Sequence, residues 1–176
     1  MNDAVLLRLA TVADLPAIAS IVAANLPLMA AAGNPQWDAS YPLPHHFEAD
    51  IALQQLWVAV DSASNTSTVM GVGALTESPE PDYAQAGCDL TYPAIVPHRI
   101  AVDPRQHRRG VASLFLQQAE QLAAERGHNY VRIDTNKCNP AMPTLIAKRG
   151  YAFMGEVSLT GKPASYRYLV YEKKVA

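Results

Sequence analysis

Apolar residues follow two periods along this chain, and the change from one to the other marks out its elements. Val5-Leu6-Leu7-Arg8-Leu9 is a short apolar run of strand length. Leu15, Ile18, Ala19, Val22 and Leu26 then repeat at helical spacing, which predicts a helix from about Ala13 to Asn25. Thr11 and Asp14 have the spacing of a capping box; with Asp14 as N-cap instead, Pro16 falls in the first turn, where a missing N–H costs little. Pro27 to Pro44 holds four prolines and a glycine together with Trp37 and Tyr41, and reads as a structured excursion packed on the body. Helical period returns around Phe47 and Ile51, with Glu48 and Asp50 on other faces. Leu56–Val60 and Val69–Leu75 read as two strands joined by the small polar turn Asp61–Thr68, a hairpin. Gly71 and Gly73 inside the second strand predict a bulge or a close backbone approach.

Ser78 to Pro97 is a second irregular stretch rich in proline. His98–Val102 reads as a strand closed by Asp103-Pro104. A helix over Val111–Ala124 follows, its stripe made of Val111, Leu114, Phe115, Gln118, Ala119, Leu122 and Ala123, and Arg126-Gly127 supplies the stop. Tyr130–Thr135 is a strand. Asn139 as N-cap with Pro140 at the first helical position opens a helix that ends at Lys148-Arg149-Gly150. Tyr151–Val157 and Tyr166–Lys173 are the last strands. This order predicts a single α/β domain over residues 1–176, with a mixed sheet and parallel strands on either side of the Val111–Ala124 helix.

Composition adds exclusions. With 14 Lys+Arg against 16 Asp+Glu, a formal charge of −2, there is no global attraction for nucleic acid or an anionic membrane, so a bound anion needs a local site. At 49% hydrophobic and 17% charged the chain fills a core. Cys88 and Cys138 are too few for a disulfide framework and match no zinc spacing, so no metal is expected. Met1-Asn2-Asp3 carries no basic region ahead of an apolar stretch, and Ile18–Gly33 falls short of the ~20 apolar residues of a membrane span. The expectation is a cytoplasmic protein without membrane or nucleic-acid partners.

The chemistry concentrates at Val102-Asp103-Pro104-Arg105-Gln106-His107-Arg108-Arg109-Gly110-Val111-Ala112, where a strand ends, a basic turn follows and a helix begins. Amides at a helix start point outward at the positive end of the dipole and suit phosphate. Gly110 and Ala112 leave room for a diphosphate, and Arg105, Arg108 and Arg109 add charge. A solvated basic turn capping an ordinary helix fits the same residues. Neither a Walker A loop nor a dinucleotide-binding glycine pattern is present.

His98-Arg99-Ile100-Ala101-Val102-Asp103-Pro104, then His107-Arg108-Arg109-Gly110-Val111-Ala112, then Asn139 and Lys148-Arg149-Gly150-Tyr151, resembles the core of the GNAT (GCN5-related) N-acetyltransferases. Arg8-Leu9-Ala10-Thr11 and Asp14-Leu15-Pro16 resemble that family's opening, and the likeness covers most of the chain. It implies a mostly antiparallel twisted sheet flanked by helices, with the two central strands parallel, and acetyl-CoA as cosubstrate. The family's pyrophosphate turn maps onto His107, Arg108, Arg109, Gly110, Val111 and Ala112, with Ser113 next. His107 stands where the family prefers Gln or Arg, and Gln106 is a displaced substitute for it. The pantetheine strand maps onto Ile100, Ala101 and Val102, and Asn139 matches the residue that faces the pantetheine arm.

One position departs from the family. Leu145 is followed by Ile146 where many members carry a Tyr as general acid. The acid is then another residue, such as Tyr151 or Tyr92, or is not needed, since a thiol of pKa ~8.5 leaves readily. For the base, an alkyl amine of pKa ~10.4 holds its proton at neutral pH, and losing it costs ~4–5 kcal/mol. His98 opens the central strand and is the candidate base, with a structural hydrogen-bonding role as the alternative. His45 and His46 face substrate or are plain surface. Glu77, Glu80, Asp82 and Asp89 form an acidic mouth or a solvated loop. Trp37, Tyr41 and Phe47 form a pocket wall or pack in the core. Cys138 lacks a base partner, so direct attack by an amine in a ternary complex is favoured over an acyl-enzyme.

Two functions compete: an N-acetyltransferase acting on a primary amine of a small molecule or peptide, and a silent acyl-CoA-binding sensor, which the loss of Tyr at Ile146 keeps open. Oligomeric state stays open too, although homodimers are common in the family.

Overall fold

Arg8 and Asp14 organise the start of the chain. Strand β1 (Val5–Leu9) leads into Thr11, whose N–H donates to the Asp14 carboxylate at 2.8 Å, the reciprocal half of a capping box. The Arg8 guanidinium grips the same carboxylate at 2.7 and 2.8 Å and, with Thr11, holds it below the usual carboxylate range. A turn of 3-10 helix, Val12–Asp14, then runs into helix α1 (Leu15–Ala31). The structure, a computed structural model, describes residues 5–62, 68–78 and 80–175. The readings at Met1-Asn2-Asp3, in the middle of the Asp61–Thr68 turn and at Pro79 lie outside the described residues.

Helix α1 runs six residues past the expected end, because Pro27 sits inside it. Pro27 removes a bond to the Ala23 carbonyl, but both residues are exposed, so water satisfies the freed group. Val12–Ala31 is therefore a 20-residue helical run of mean hydropathy 1.6, long and apolar enough to cross a membrane by length and composition, which the shorter run expected from the sequence was not. It buries Ile18, Ile21 and Val22.

The remaining elements are α2 (Pro44–Ala52), β2 (Leu56–Asp61), β3 (Val69–Thr76), β4 (Ala94–Val102), α3 (Val111–Glu125), β5 (Tyr130–Asn136), α4 (Met142–Lys148), β6 (Ala152–Val157) and β7 (Tyr168–Lys174). The strands form a seven-stranded mixed sheet in the order β1-β2-β3-β4-β5-β7-β6, flanked by helices. The expected parallel pair is present, β4 to β5, at Ala94↔Tyr130 and Ile95↔Val131. Strand β4 begins four residues earlier than expected and carries Pro97 inside it. Pro97 comes after the two paired residues, so its missing N–H costs no bond in that ladder.

The chain divides into two compact units. The first comprises Met1–Leu28, Trp37–Thr76 and Pro97–Gln118. In it β1 pairs antiparallel with β2 and β2 with β3, the expected hairpin, with a register shift between Ala59 and Val60. Val5, Ala59, Met70, Val111 and Phe115 form its core. A Cβ on Gly71 would stand 3.0 Å from both the Ala101 carbonyl and Val111 Cγ1, so bulge and close approach occur together here. Trp37 and Phe47 are buried and belong to packing.

The second unit comprises Met29–Gln36, Glu77–Val96 and Ala119–Ala176. Here β5 pairs antiparallel with β7, and β7 with β6. Tyr83, Cys88, Val96, Val157, Tyr168 and Val170 fill its core. The buried Arg132 donates to Glu172 at 2.6 Å and to the carbonyls of Asp89 and Tyr92 at 2.8 and 3.1 Å, fixing the loop before β4. Helix α4 starts later than expected: Ala141 is its N-cap, and Pro143 takes the early position assigned to Pro140. Asn139 instead accepts from the N–H groups of Ala141 and Met142 at 3.1 and 3.0 Å, a turn ahead of the helix.

Gly71→Ala should destabilise the fold by ~1–3 kcal/mol, because backbone and Val111 leave no room for the methyl. The midpoint of urea unfolding measures it, and an unchanged or higher midpoint would contradict the close approach.

Candidate active site

Most of the candidate residues lie in the first unit, along the end of β4 and the turn into α3. Ile100, Ala101 and Val102 close β4, with Ala101 buried. The Val102 carbonyl accepts from Asn25 Nδ2 at 3.0 Å, a tie from α1 that sequence reasoning missed. Asp103 donates its N–H to the Met70 carbonyl at 2.8 Å and caps the following 3-10 turn by accepting from Arg105 N–H at 2.9 Å.

The basic turn is less charged than its three arginines suggest. Arg105 binds Asp103 at 2.7 Å and holds that carboxyl below the usual range. Arg109 donates to Gln106 Oε1 at 2.7 Å and lies 3.6 Å from Asp61. Arg108 has no ion pair among the described residues, and its φ of 65° places it in the left-handed region. Gly110 follows at φ 77°, a conformation open to glycine at no steric cost, with no atom within 4 Å of where a Cβ would stand. The first helical bond runs from Leu114 N–H to the Gly110 carbonyl at 3.2 Å, so the amides from Gly110 to Ala112 lie outside the helical ladder. His107, Arg108 and Gly110 are exposed. Open space above a left-handed glycine, amides at a helix start and one uncommitted arginine suit the phosphates of CoA.

His98 lies on β4 between Pro97 and Arg99. Burial, and after it the neighbouring Arg99 charge, push its imidazole down to about 4. The ring is therefore neutral near pH 7 and can accept a proton, but its basicity is low. Arg99 itself has φ 51°. Its guanidinium donates to both Asp50 oxygens at 2.6–2.9 Å and to Tyr41 Oη at 3.3 Å. Burial alone would disfavour the Arg99 charge; Tyr41 and Asp50 outweigh that and raise its pKa.

Asp50 is thus a correction to the sequence reading, which set it on a different face of its helix from Phe47 and Ile51. It is 4% exposed and shares the buried face with Phe47. The signal was available, since a carboxylate three residues after Phe47 and one before Ile51 lies on the apolar side of a helix. Tyr41, expected in a pocket wall or in the core, serves this ion pair. His45 and His46 stack on each other with centroids 4.1 Å apart, and His46 Nδ1 accepts from Leu43 N–H at 2.9 Å.

The other candidates belong to the second unit. Asn139 has the turn role already described. Ile146 is fully buried, so the position at which many family members carry a Tyr is core here. Tyr151 is 5% exposed, and burial and Glu120 push its phenol well up, which keeps it protonated. Of the acidic residues, Asp82 accepts from Thr160 N–H at 2.6 Å and Asp89 from Thr91 N–H at 3.0 Å, both loop-fixing roles. Cys138 is exposed and Cys88 buried. Among the described residues no group of three His, Cys, Asp or Glu could hold a metal ion.

The family model described as acetyltransferase (GNAT) matches residues 28–151. A GNAT acetyltransferase from Streptococcus agalactiae is 25% identical with TM-score 0.80, over 97% of this chain and 95% of that one. A second from Listeria monocytogenes is 20% identical with TM-score 0.72, over 97% and 94%. The ribosomal-protein-S18-alanine N-acetyltransferase of Escherichia coli is 12% identical with TM-score 0.66, over 98% and 94%. The last two likenesses show the fold alone. No curated protein sequence matches the chain.

Asp50→Ala should cost ~2–4 kcal/mol by stranding a largely desolvated guanidinium. Thermal and urea unfolding test this, and a loss under ~1 kcal/mol would mean that water already compensates Arg99.

Proposed function

The chain belongs to the acetyltransferase (GNAT) family, and from that premise we propose that it transfers the acetyl group of acetyl-CoA to a primary amine of a small molecule or peptide. The observation that carries the reading is the junction of β4 and α3: Gly110 at φ 77° under open space, followed by amides outside the helical ladder. Main-chain groups from His107 to Ala112, with Ser113 next, would hold the pyrophosphate, and Arg108 would supply its charge. Ile100, Ala101 and Val102 would take the pantetheine arm as an added strand. Acetyl-CoA supplies an activated thioester, and no metal is needed. The amine nitrogen attacks the thioester carbonyl directly in a ternary complex, a C–N bond forms as the C–S bond breaks, and the amine's proton leaves with the thiolate or to solvent. A cytoplasmic location belongs to the same proposal.

His98 is proposed to accept a hydrogen bond from the amine in its neutral form. The sign of its pH effect follows from its value of about 4: the neutral, accepting form is complete above pH ~5, so His98 adds no inflection near 6–7. The supply of free amine then governs the rate. kcat/KM should rise about tenfold per pH unit toward the amine's own pKa of ~10.4. A break near pH 6.5 that His98→Ala removes would show an ordinary, titrating histidine instead.

A silent acyl-CoA binder is the second reading, favoured by Ile146, whose buried side chain offers no hydroxyl to a departing thiolate. A panel of amines with thiol detection separates the two: CoA binding without thiol release on any amine, from pH ~6 to ~9, supports the binder. Gly110→Glu tests the cofactor assignment common to both. It adds a side chain and a negative charge at the phosphate position, and should lower CoA affinity by at least ~100-fold, roughly 2.7 kcal/mol. Unchanged affinity by calorimetry would remove the assignment.

A further inference from the structure

Asn25 lies in the interior of α1, where its side chain competes with the backbone for hydrogen bonds and disfavours a helix. Its amide is fully engaged on one side. Nδ2 donates to the Ile21 carbonyl one turn back at 2.8 Å and to the Val102 carbonyl of β4 at 3.0 Å. Two carbonyls can be met only by the NH2 half of an amide, so the orientation is fixed and Oδ1 has a set direction. Among the described residues no group donates to Oδ1, and Asn25 is half-buried. We propose that Asn25 is a binding residue for CoA: it withdraws the Val102 carbonyl from the edge of β4 and offers its own Oδ1 to an amide N–H of the pantetheine arm. The inference rests on the acetyl-CoA reading above. Asn25, Ile21, Val102 and the turn from His107 to Ala112 all belong to the first unit.

The strand geometry supplies the edge. Asp103 donates its N–H to Met70 on β3, and the Ala101 carbonyl lies against Gly71 of the same strand. Peptide groups of an extended strand alternate between its two edges, so Val102 and, two residues earlier, Ile100 turn theirs away from β3. Among the described residues β4 pairs with β5 at Ala94 and Ile95, before this stretch. An arm lying along Ile100–Val102 as an added strand needs main-chain acceptors for its N–H groups. The Val102 carbonyl is already taken by Asn25, and Oδ1, held on the same planar amide as the donating Nδ2, stands in for it. The chemistry matches, since a neutral amide oxygen suits the neutral secondary amides of pantetheine. A carboxylate at this position would face two carbonyls and repel them. Order along the chain agrees as well. Val102 lies between the phosphate turn at His107–Ala112 and His98, so the part of the cofactor beside it is the arm, with the phosphates on one side and the thioester on the other.

The test compares CoA with 3′,5′-ADP, which keeps the nucleotide and phosphates and lacks the arm, on the full chain by calorimetry, with NMR titration for the weaker ligand. Asn25→Ser is the first variant: a helical serine still bonds the carbonyl four residues back, so α1 is kept while Oδ1 and the tie to Val102 are lost. It should weaken CoA by ~5–10-fold and leave 3′,5′-ADP within about twofold. Asn25→Ala should reproduce that split. In acetylation assays both variants should raise KM for acetyl-CoA by the same factor, with kcat within about twofold and KM for the amine unmoved. An unchanged CoA affinity overturns the inference and leaves the acetyl-CoA reading standing. Equal weakening of CoA and 3′,5′-ADP does the same, since it marks Asn25 as a structural tie between α1 and β4. If the wild-type chain binds no CoA, the acetyl-CoA reading falls and this inference falls with it.

Discussion

The ion pair of the half-buried Arg99 with the buried Asp50 is the constraint on which the candidate site depends. Strand β4 carries Pro97, His98 and a left-handed Arg99 in succession, and none of these suits a regular ladder. A left-handed arginine costs ~1–2 kcal/mol against the extended form. It persists because its guanidinium, once turned inward, meets a carboxylate that is itself buried and a tyrosine hydroxyl at 3.3 Å. Breaking such a pair leaves an uncompensated charge, a larger penalty than the backbone strain it supports. The irregular strand is therefore held from α2, outside the sheet. The same arrangement sets the electrostatics of His98, since burial and the Arg99 charge together keep the imidazole neutral.

The basic turn between β4 and α3 shows a different economy of charge. Three arginines within five residues read as a strong anion trap, yet two are engaged by Asp103, Gln106 and Asp61. Their work is conformational: the Asp103–Arg105 contact closes the 3-10 turn after β4 and aims the chain at the start of α3. What remains for a ligand is main-chain amides, a left-handed glycine and one arginine. In the proposed reading such a cradle would recognise phosphate by geometry more than by net charge, which agrees with a chain of formal charge −2.

Much of this was legible in the residues, and the misses have identifiable causes. The strand–turn–helix around Gly110 could be read because each local signal agreed: an apolar run, Asp-Pro, a glycine, then a helical stripe. The hairpin of β2 and β3 followed from alternating apolar runs and a small polar turn, and the parallel pair of β4 and β5 from the helix between them. Prolines misled three times. Pro27 lies inside α1 because its freed carbonyl is exposed, Pro97 lies inside β4 beyond the paired residues, and Pro143 displaced Pro140 at the start of α4. In each case the rule concerns a lost hydrogen bond, and the surroundings decide whether that loss matters. Asp50 was misplaced because a charged residue is expected outside, and only a partner 49 residues away reverses that expectation. Tyr83 and Asp134 pair across 51 residues, a contact that no local pattern announces.

Proton handling ties these features together. An acyl transfer from thioester to amine needs a nitrogen lone pair and a leaving thiolate. Here the candidate base sits near pKa 4, and the position that bears a tyrosine in many relatives of this fold is a buried isoleucine. Moving a proton from an alkyl ammonium of pKa ~10.4 to a group near 4 costs roughly 9 kcal/mol, more than the ~4–5 kcal/mol needed to shed it to neutral water. In the acetyltransferase reading, His98 therefore works best by accepting a hydrogen bond from amine that is already neutral, and bulk water carries the proton away. Such a site gains from positioning rather than from acid–base strength, which can supply ~7 kcal/mol or more when two reactants are aligned. It also discriminates among acceptors by basicity: the lower an amine's pKa, the larger its reactive fraction. In that reading a neutral, half-buried histidine makes the acceptor's own chemistry part of the selectivity.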